Sequence, residues 1–147
     1  MYQRILVPSD GSPLSRKAVR SAVELAAAVG AEVVALNVVP RYPMSYFEGG
    51  ISIAPSEVAR VERQWAEKGQ SIADEVGRVA ERAGVKYKAV IAKSDLVAEA
   101  IISAAKKHKC DLIVMASHGR KGLKRLLLGS ETQHVLTHSH IPVLVLR

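Results

Sequence analysis

The sequence predicts a doubly wound α/β domain, a parallel sheet with helices on both faces. Strand-like and helix-like segments alternate from end to end. The strand-like segments are short apolar runs, the pattern of strands buried on both faces. The 147 residues carry no internal repeat and no linker, so residues 1–147 read as one domain.

Arg4 to Pro8 opens with the apolar run Ile5-Leu6-Val7, a buried strand. Ser12-Pro13 supplies a helix cap followed by proline at the first helical position. Ala18, Ala22, Leu25, Ala26 and Val29 then keep helical spacing, and Gly30 ends that helix. Glu32 to Val39, rich in valine, is the second strand, closed by Pro40. Residues 40–55 hold three prolines and Gly49-Gly50 without a period, a long connection of the kind that forms lids or binding loops.

Ser56 is expected to cap the next helix, with Val58, Val61, Trp65, Ile72, Val76, Val79 and Ala83 on one side. Gly69 and Gly77 inside it each cost about 1 kcal/mol relative to alanine, so packing must hold it. Gly84 ends it. Val85 to Ala92 reads as the third strand, and Ser94-Asp95 as the cap of a helix that buries Val97, Ala98, Ile101, Ile102 and Ala105. The basic run Lys106-Lys107-His108-Lys109 suits the negative end of that helix. Asp111 to Met115 and Ile141 to Leu146 are the fourth and fifth strands, and Ser130-x-x-Gln133 between them reads as a capping box.

Composition narrows the class. Hydrophobic residues are 48% and charged residues 24%, which suits a globular core. The single cysteine, Cys110, excludes a disulfide framework and a multi-cysteine zinc site within one chain. Three consecutive apolar residues before Pro8 are too few for a signal-peptide core, and no apolar run is long enough to span a membrane. A cytoplasmic domain is the expectation. The net charge of +7 favours anionic partners. Aromatic residues are only 4% and are not interleaved with Arg and Lys, which disfavours single-stranded nucleic acid.

In a doubly wound sheet, ligands bind beyond the carboxyl ends of the strands, where the strand order reverses. Two loops qualify, Pro8-Ser9-Asp10-Gly11-Ser12 after the first strand and residues 116–130 after the fourth. The second holds three glycines and four basic residues, Arg120, Lys121, Lys124 and Arg125, and no acidic one. Glycines let backbone N–H groups approach an anion, and a helix beginning at Ser130 offers free N–H groups to phosphate. Turn glycines, an ordinary cap and a solvated basic face would leave the same pattern. Neither a Walker A loop nor a Gly-x-Gly-x-x-Gly fingerprint is present.

Gly119, nine intervening residues and then Gly129-Ser130, after a strand ending Met115-Ala116-Ser117-His118, resembles the nucleotide loop of the universal stress protein family. That family's pattern is Gly-x-x-Gly-x9-Gly-Ser/Thr. The opening Ile5-Leu6-Val7-Pro8-Ser9-Asp10-Gly11-Ser12 and the closing Ser139-His140-Ile141-Pro142-Val143-Leu144-Val145 resemble its first and last strands. The resemblance covers the whole chain. It implies strand order 3-2-1-4-5, an adenine nucleotide (ATP, ADP or AMP) as ligand, and a regulatory or sensory role in stress response. By the same resemblance Pro8 and Asp10 border base and ribose, and Val38 backs the adenine. Met115 and Ala116 lie along the ribose, while Gly119, Gly129, Ser130, Glu131 and Thr132 hold the phosphates.

Ala116 departs from the pattern, standing where the motif has its first glycine. Alanine keeps the N–H donor, but its methyl limits the approach of a ligand. Glu131 would repel a triphosphate unless Mg²⁺ or Mn²⁺ rides on the phosphates, so the expected ion sits on the nucleotide and not in a protein cage. Asp10 also reads as a simple turn residue ahead of the helix cap.

The other candidates are weaker. His134 and His138 have the spacing of a metal-binding pair on a helix, with His140 close by, but zinc would need a third ligand. His118 has no carboxylate placed nearby in sequence to orient it as a nucleophile or acid, so no catalytic residue is assigned. Cys110 reads as packed. The last strand, following Pro142, reads as an edge; pairing residues 141–147 with those of a second chain would cover it, as the family's dimers imply. A slow ATPase or phosphotransferase in the same pocket, or a basic nucleic-acid-binding module, are the rival functions.

Overall fold

The computed structural model describes residues 1–42, 54–119 and 128–147. In chain order the elements are β1 (Arg4–Pro8), α1 (Pro13–Val29), β2 (Glu32–Val39), α2 (Pro55–Arg82), β3 (Tyr87–Lys93), α3 (Val97–Lys107), β4 (Leu112–Ala116), α4 (Ser130–His138) and β5 (Val143–Leu146). The strands form one parallel sheet in the order β3-β2-β1-β4-β5, as expected.

Strand periodicity divides the core in two. Ile5 and Val7 of β1 point to one face, where they pack with Val33, Leu112 and Val114 under Val19 and Val23 of α1 and Val76 and Ala80 of α2. Leu6 points to the other, with Val34, Leu36, Ile113 and Met115 under Ala98 and Ile101 of α3 and Val135 of α4. Helices that join β1 to β2 and β2 to β3 therefore lie on one side, and those flanking β4 on the other. The chain reverses direction across the sheet between β1 and β4.

The caps of α1 follow the sequence: the Ser15 N–H donates to Ser12 Oγ at 3.3 Å, and Gly30 takes a left-handed φ of 73°. Three other expected caps do not form. Helix α2 starts at Pro55, two residues early, so Ser56 lies inside its first turn and Ala54 is an uncapped N-cap. Ser94 Oγ instead accepts the Leu96 N–H at 3.0 Å in a local turn, and Asp95 accepts the Arg41 N–H at 3.0 Å. Ser130 is the first residue of α4, because Gly129 is the N-cap and its carbonyl accepts the Gln133 N–H at 2.9 Å.

Strand limits shift for local reasons. Val85 is buried, and its N–H returns to the Ala80 carbonyl at 2.9 Å, so β3 begins two residues later than expected. Asp111 precedes β4 and brackets the start of β1, accepting the N–H groups of Gln3 and Arg4 at 2.9 and 3.0 Å. Ser139 Oγ bonds both the N–H and the carbonyl of Ile141, a turn that delays β5 to Val143.

The two glycines of α2 are explained by space. A methyl group at Gly69 would stand 2.5 Å from Val39 Cγ2 and 2.6 Å from Asn37 Oδ1. One at Gly77 would run into the ring of Tyr87. Both let the helix settle directly on β2 and β3.

The substitution Gly69→Ala should therefore destabilise the protein by about 1 kcal/mol, because overpacking of about 1–3 kcal/mol outweighs the gain in helix propensity of about 1 kcal/mol. Urea unfolding at 25 °C checks the sign. Burial pushes the buried Cys110 thiol up to about 11, while the unfolded chain's thiol ionises near its ordinary value of about 8.5. The fold holds the acid neutral, so this contribution is intact below about pH 8.5 and is lost as pH rises toward 11. Unfolding free energies measured across that window should fall, and Cys110→Ala should flatten the decline.

Candidate functional site

The carboxyl ends of β1 and β4, the two strands at the reversal, carry the loops that the sequence singled out. Their geometry is built from backbone bonds held by buried polar side chains. Ser9, just after β1, donates its N–H to the Leu36 carbonyl at 2.9 Å, and its own carbonyl accepts from Asn37 Nδ2 at 2.9 Å. Ser9 Oγ lies 3.1 Å from Ser15 Oγ and accepts the Gly11 N–H at 3.2 Å. Ser9, Ser15 and Asn37 are all buried, so the loop is fixed from beneath by α1 and β2.

Asp10 makes a turn ahead of the α1 cap, accepting the Ser12 N–H on Oδ1 at 2.9 Å. Its second oxygen faces the other loop. A methyl group on Gly119 would stand 2.6 Å from Asp10 Oδ2, so the two loops meet at this point and a larger residue would displace the Asp10 carboxylate. Pro8 ends β1, half-buried, and Val38 is half-buried near the end of β2.

On the β4 side, Met115 and Ala116 are buried. Ala116 has no left-handed backbone, the described non-glycine residue with positive φ being Lys109, so alanine is unstrained at the motif's first position. Its carbonyl accepts Thr132 Oγ1 at 2.9 Å, a buried bond that fixes the first turn of α4 against β4. The Gly129 N–H donates to the Ser117 carbonyl at 2.7 Å, and the Ser117 N–H to the Leu146 carbonyl at 2.7 Å. A methyl group at Gly129 would stand 3.0 Å from that Ser117 oxygen and 3.2 Å from His118 Cα. His118 Nδ1 lies 3.2 Å from Ser117 Oγ.

The N–H groups of Ser130, Glu131 and Thr132 begin α4 and have no partner within the helix. The dipole of that helix end favours an anion beside it. The Glu131 carboxylate is turned elsewhere: Oε2 accepts the Ala98 N–H at 3.0 Å and caps α3, which has no side-chain cap of its own. Arg120, Lys121, Lys124 and Arg125, and most of the 40–55 connection, lie outside the described residues.

Of the ten sequence-predicted site residues, Asp10 and Gly119 are in direct juxtaposition, and Ala116, Gly129 and Thr132 are joined through β4 and α4 by the bonds above. Pro8, Val38 and Met115 sit at the ends of the adjoining strands. Sequence reasoning missed Asn37 and Ser9; the signal was one amide inside an otherwise apolar strand. Two cavities among the described residues lie outside the space between the two loops, the second of them reaching Ser9 from the α1 side. One, of about 660 Å³, is at the amino ends of the strands by Arg4 and His108, and the other, of about 480 Å³, is between α1 and α2.

The comparisons with known proteins agree along the full length. A sequence model of the universal stress protein family matches residues 1–147. Universal stress protein MJ0531 of Methanocaldococcus jannaschii is 36% identical over 149 residues, covering 100% of this chain and 83% of the relative. The solved structure of protein MJ0577 from the same organism matches with a TM-score of 0.84 at 27% identity, over 99% of this chain and 96% of that one. A universal stress protein crystallised in complex with cAMP matches with a TM-score of 0.67 at 25% identity, over 99% and 97% of the two chains. With its sheet order, its glycine spacing and these full-length matches, the chain belongs to the universal stress protein family.

Proposed function

We propose that this chain binds an adenine nucleotide (ATP, ADP or AMP) between the β1 loop and the β4 loop, and works as a stress-response regulator or sensor. The observation that carries the reading is the meeting of Asp10 with Gly119 at the sheet's reversal, beside a helix N-terminus whose first N–H groups have no partner within the helix. The cAMP complex of a relative supports the ligand class, since cAMP joins an adenine to a phosphate.

In this reading Pro8 and Val38 flank the base, and Asp10 accepts from the ribose hydroxyls. Met115 and Ala116 line the sugar. Gly119 and Gly129 leave room for the phosphates, which the N–H groups of Ser130, Glu131 and Thr132 hold. Because the Glu131 carboxylate faces α3, it adds little repulsion at the phosphates. A Mg²⁺ or Mn²⁺ would ride on the nucleotide itself. Regulation follows from differential affinity: nucleotide shifts the population of surfaces offered to a partner.

The edge strand β5 completes the proposal. Leu144 is 41% exposed there, and an apolar edge is open to pairing with another chain. A homodimer through residues 141–147 covers it.

Two measurements test the reading. Mass spectrometry of the small molecules released on denaturing purified protein should find ATP, ADP or AMP. Calorimetry should show adenine-nucleotide affinity reduced at least tenfold in Gly129→Asp, whose carboxylate enters the phosphate end; undiminished binding in a folded variant would overturn the placement. For the dimer, Leu144→Lys should move the mass seen by light scattering from twice the chain's 15.8 kDa to the single value.

A further inference from the structure

We propose that His134 and His138 of α4 form a two-nitrogen chelating site for a borderline divalent transition cation, of the Cu²⁺ or Ni²⁺ class. The two residues are four apart on one helix and so share a face. Their rings stack with centroids 4.1 Å apart and planes inclined by 19°. A cation bonded at 2.0–2.1 Å to two imidazole nitrogens needs them roughly 3 Å apart with both in-plane lone pairs aimed at it. Binding therefore turns the two side chains out of their stack about their χ angles, a change that leaves the helix backbone where it is.

The hydrogen bonds of His138 prepare it as a ligand. Its Nδ1 lies 3.0 Å from the His134 carbonyl oxygen, which can only accept, so Nδ1 carries the proton. The lone pair is thereby left on Nε2. Thr137 Oγ1, 2.8 Å from the same Nδ1, reinforces this tautomer. An imidazole whose second nitrogen donates to a carbonyl is the arrangement that orients metal-bound histidines. His138 is exposed and His134 half-buried, so neither pays the desolvation of a closed core. His138 lies in the last turn of α4, where the helix dipole favours positive charge.

Among the described residues no group of three His, Cys, Asp or Glu gathers around a common point, so water completes the coordination. Two neutral nitrogens select against Mg²⁺ and Ca²⁺, which take oxygen ligands, and follow the order in which Cu²⁺ exceeds both Ni²⁺ and Zn²⁺. The buried Cys110 is no competitor, its thiol being held protonated.

Calorimetric titration of the full chain, free of any histidine tag, with NiCl₂ at neutral pH tests the site. One Ni²⁺ per chain is expected, with tighter binding for Cu²⁺ and no heat from Mg²⁺. His134→Gln and His138→Gln should each weaken Ni²⁺ at least tenfold, while His108→Gln binds as the parent does. Either single variant retaining the parent affinity would overturn the assignment. A readout on the unaltered chain guards against misfolding of the variants. Substoichiometric Cu²⁺ should broaden the ring proton signals of both His134 and His138 in NMR spectra; broadening centred on other histidines would likewise defeat the proposal.

Discussion

A parallel sheet has to be covered on both faces, and most of this molecule follows from that constraint. Ile5, Leu6 and Val7 in β1 and Ile113 and Val114 in β4 are wholly buried, because helices close over them from both sides. Two helices on each face require the chain to reverse its direction across the sheet, and the reversal falls between those same strands. Connections leaving β1 and β4 must then part toward opposite faces. Among the described residues, the β1 and β4 loops come together in the space between those connections, where Asp10 meets Gly119.

Within that frame, polar groups do the fine positioning. The buried amide of Asn37 reaches from β2 to the carbonyl of Ser9, and the buried hydroxyl of Thr132 reaches from α4 to that of Ala116. Each satisfies a group that burial would otherwise leave costly. These bonds fix the β1 loop to one neighbour and the β4 loop to another. Asp10 and Gly119 thus approach closely without any covalent tie between their segments.

The sequence made the architecture readable because its strongest signals are local. The alternation of segment types, the proline and serine that open α1 and the left-handed Gly30 that closes it lie within a few residues of what they determine. The glycine spacing, read through its family resemblance, located the loop ends. Signals that depend on distant partners were not readable. Ser94 and Asp95 have the chemistry of caps, yet a local turn and the Arg41 N–H take their oxygens, while the actual cap of α3 comes from Glu131 in another element. Gly69 and Gly77 could be read only as a propensity cost, since the side chains that require them belong to β2 and β3. Asn37 stands in a valine-rich strand, and only the fold shows the carbonyl it serves.

The bond from the Gly129 N–H to the Ser117 carbonyl has a consequence for how this lineage of sequences can vary. It fastens together the two ends of the glycine-rich connection, one of them already held to β5 through Leu146. That bond and the one from Thr132 to Ala116 hold α4 on β4 independently of which side chains lie between Gly119 and Gly129. Composition can therefore change under the fixed spacing of the two glycines, altering what the connection presents while the strand and the helix at its ends stay as they are.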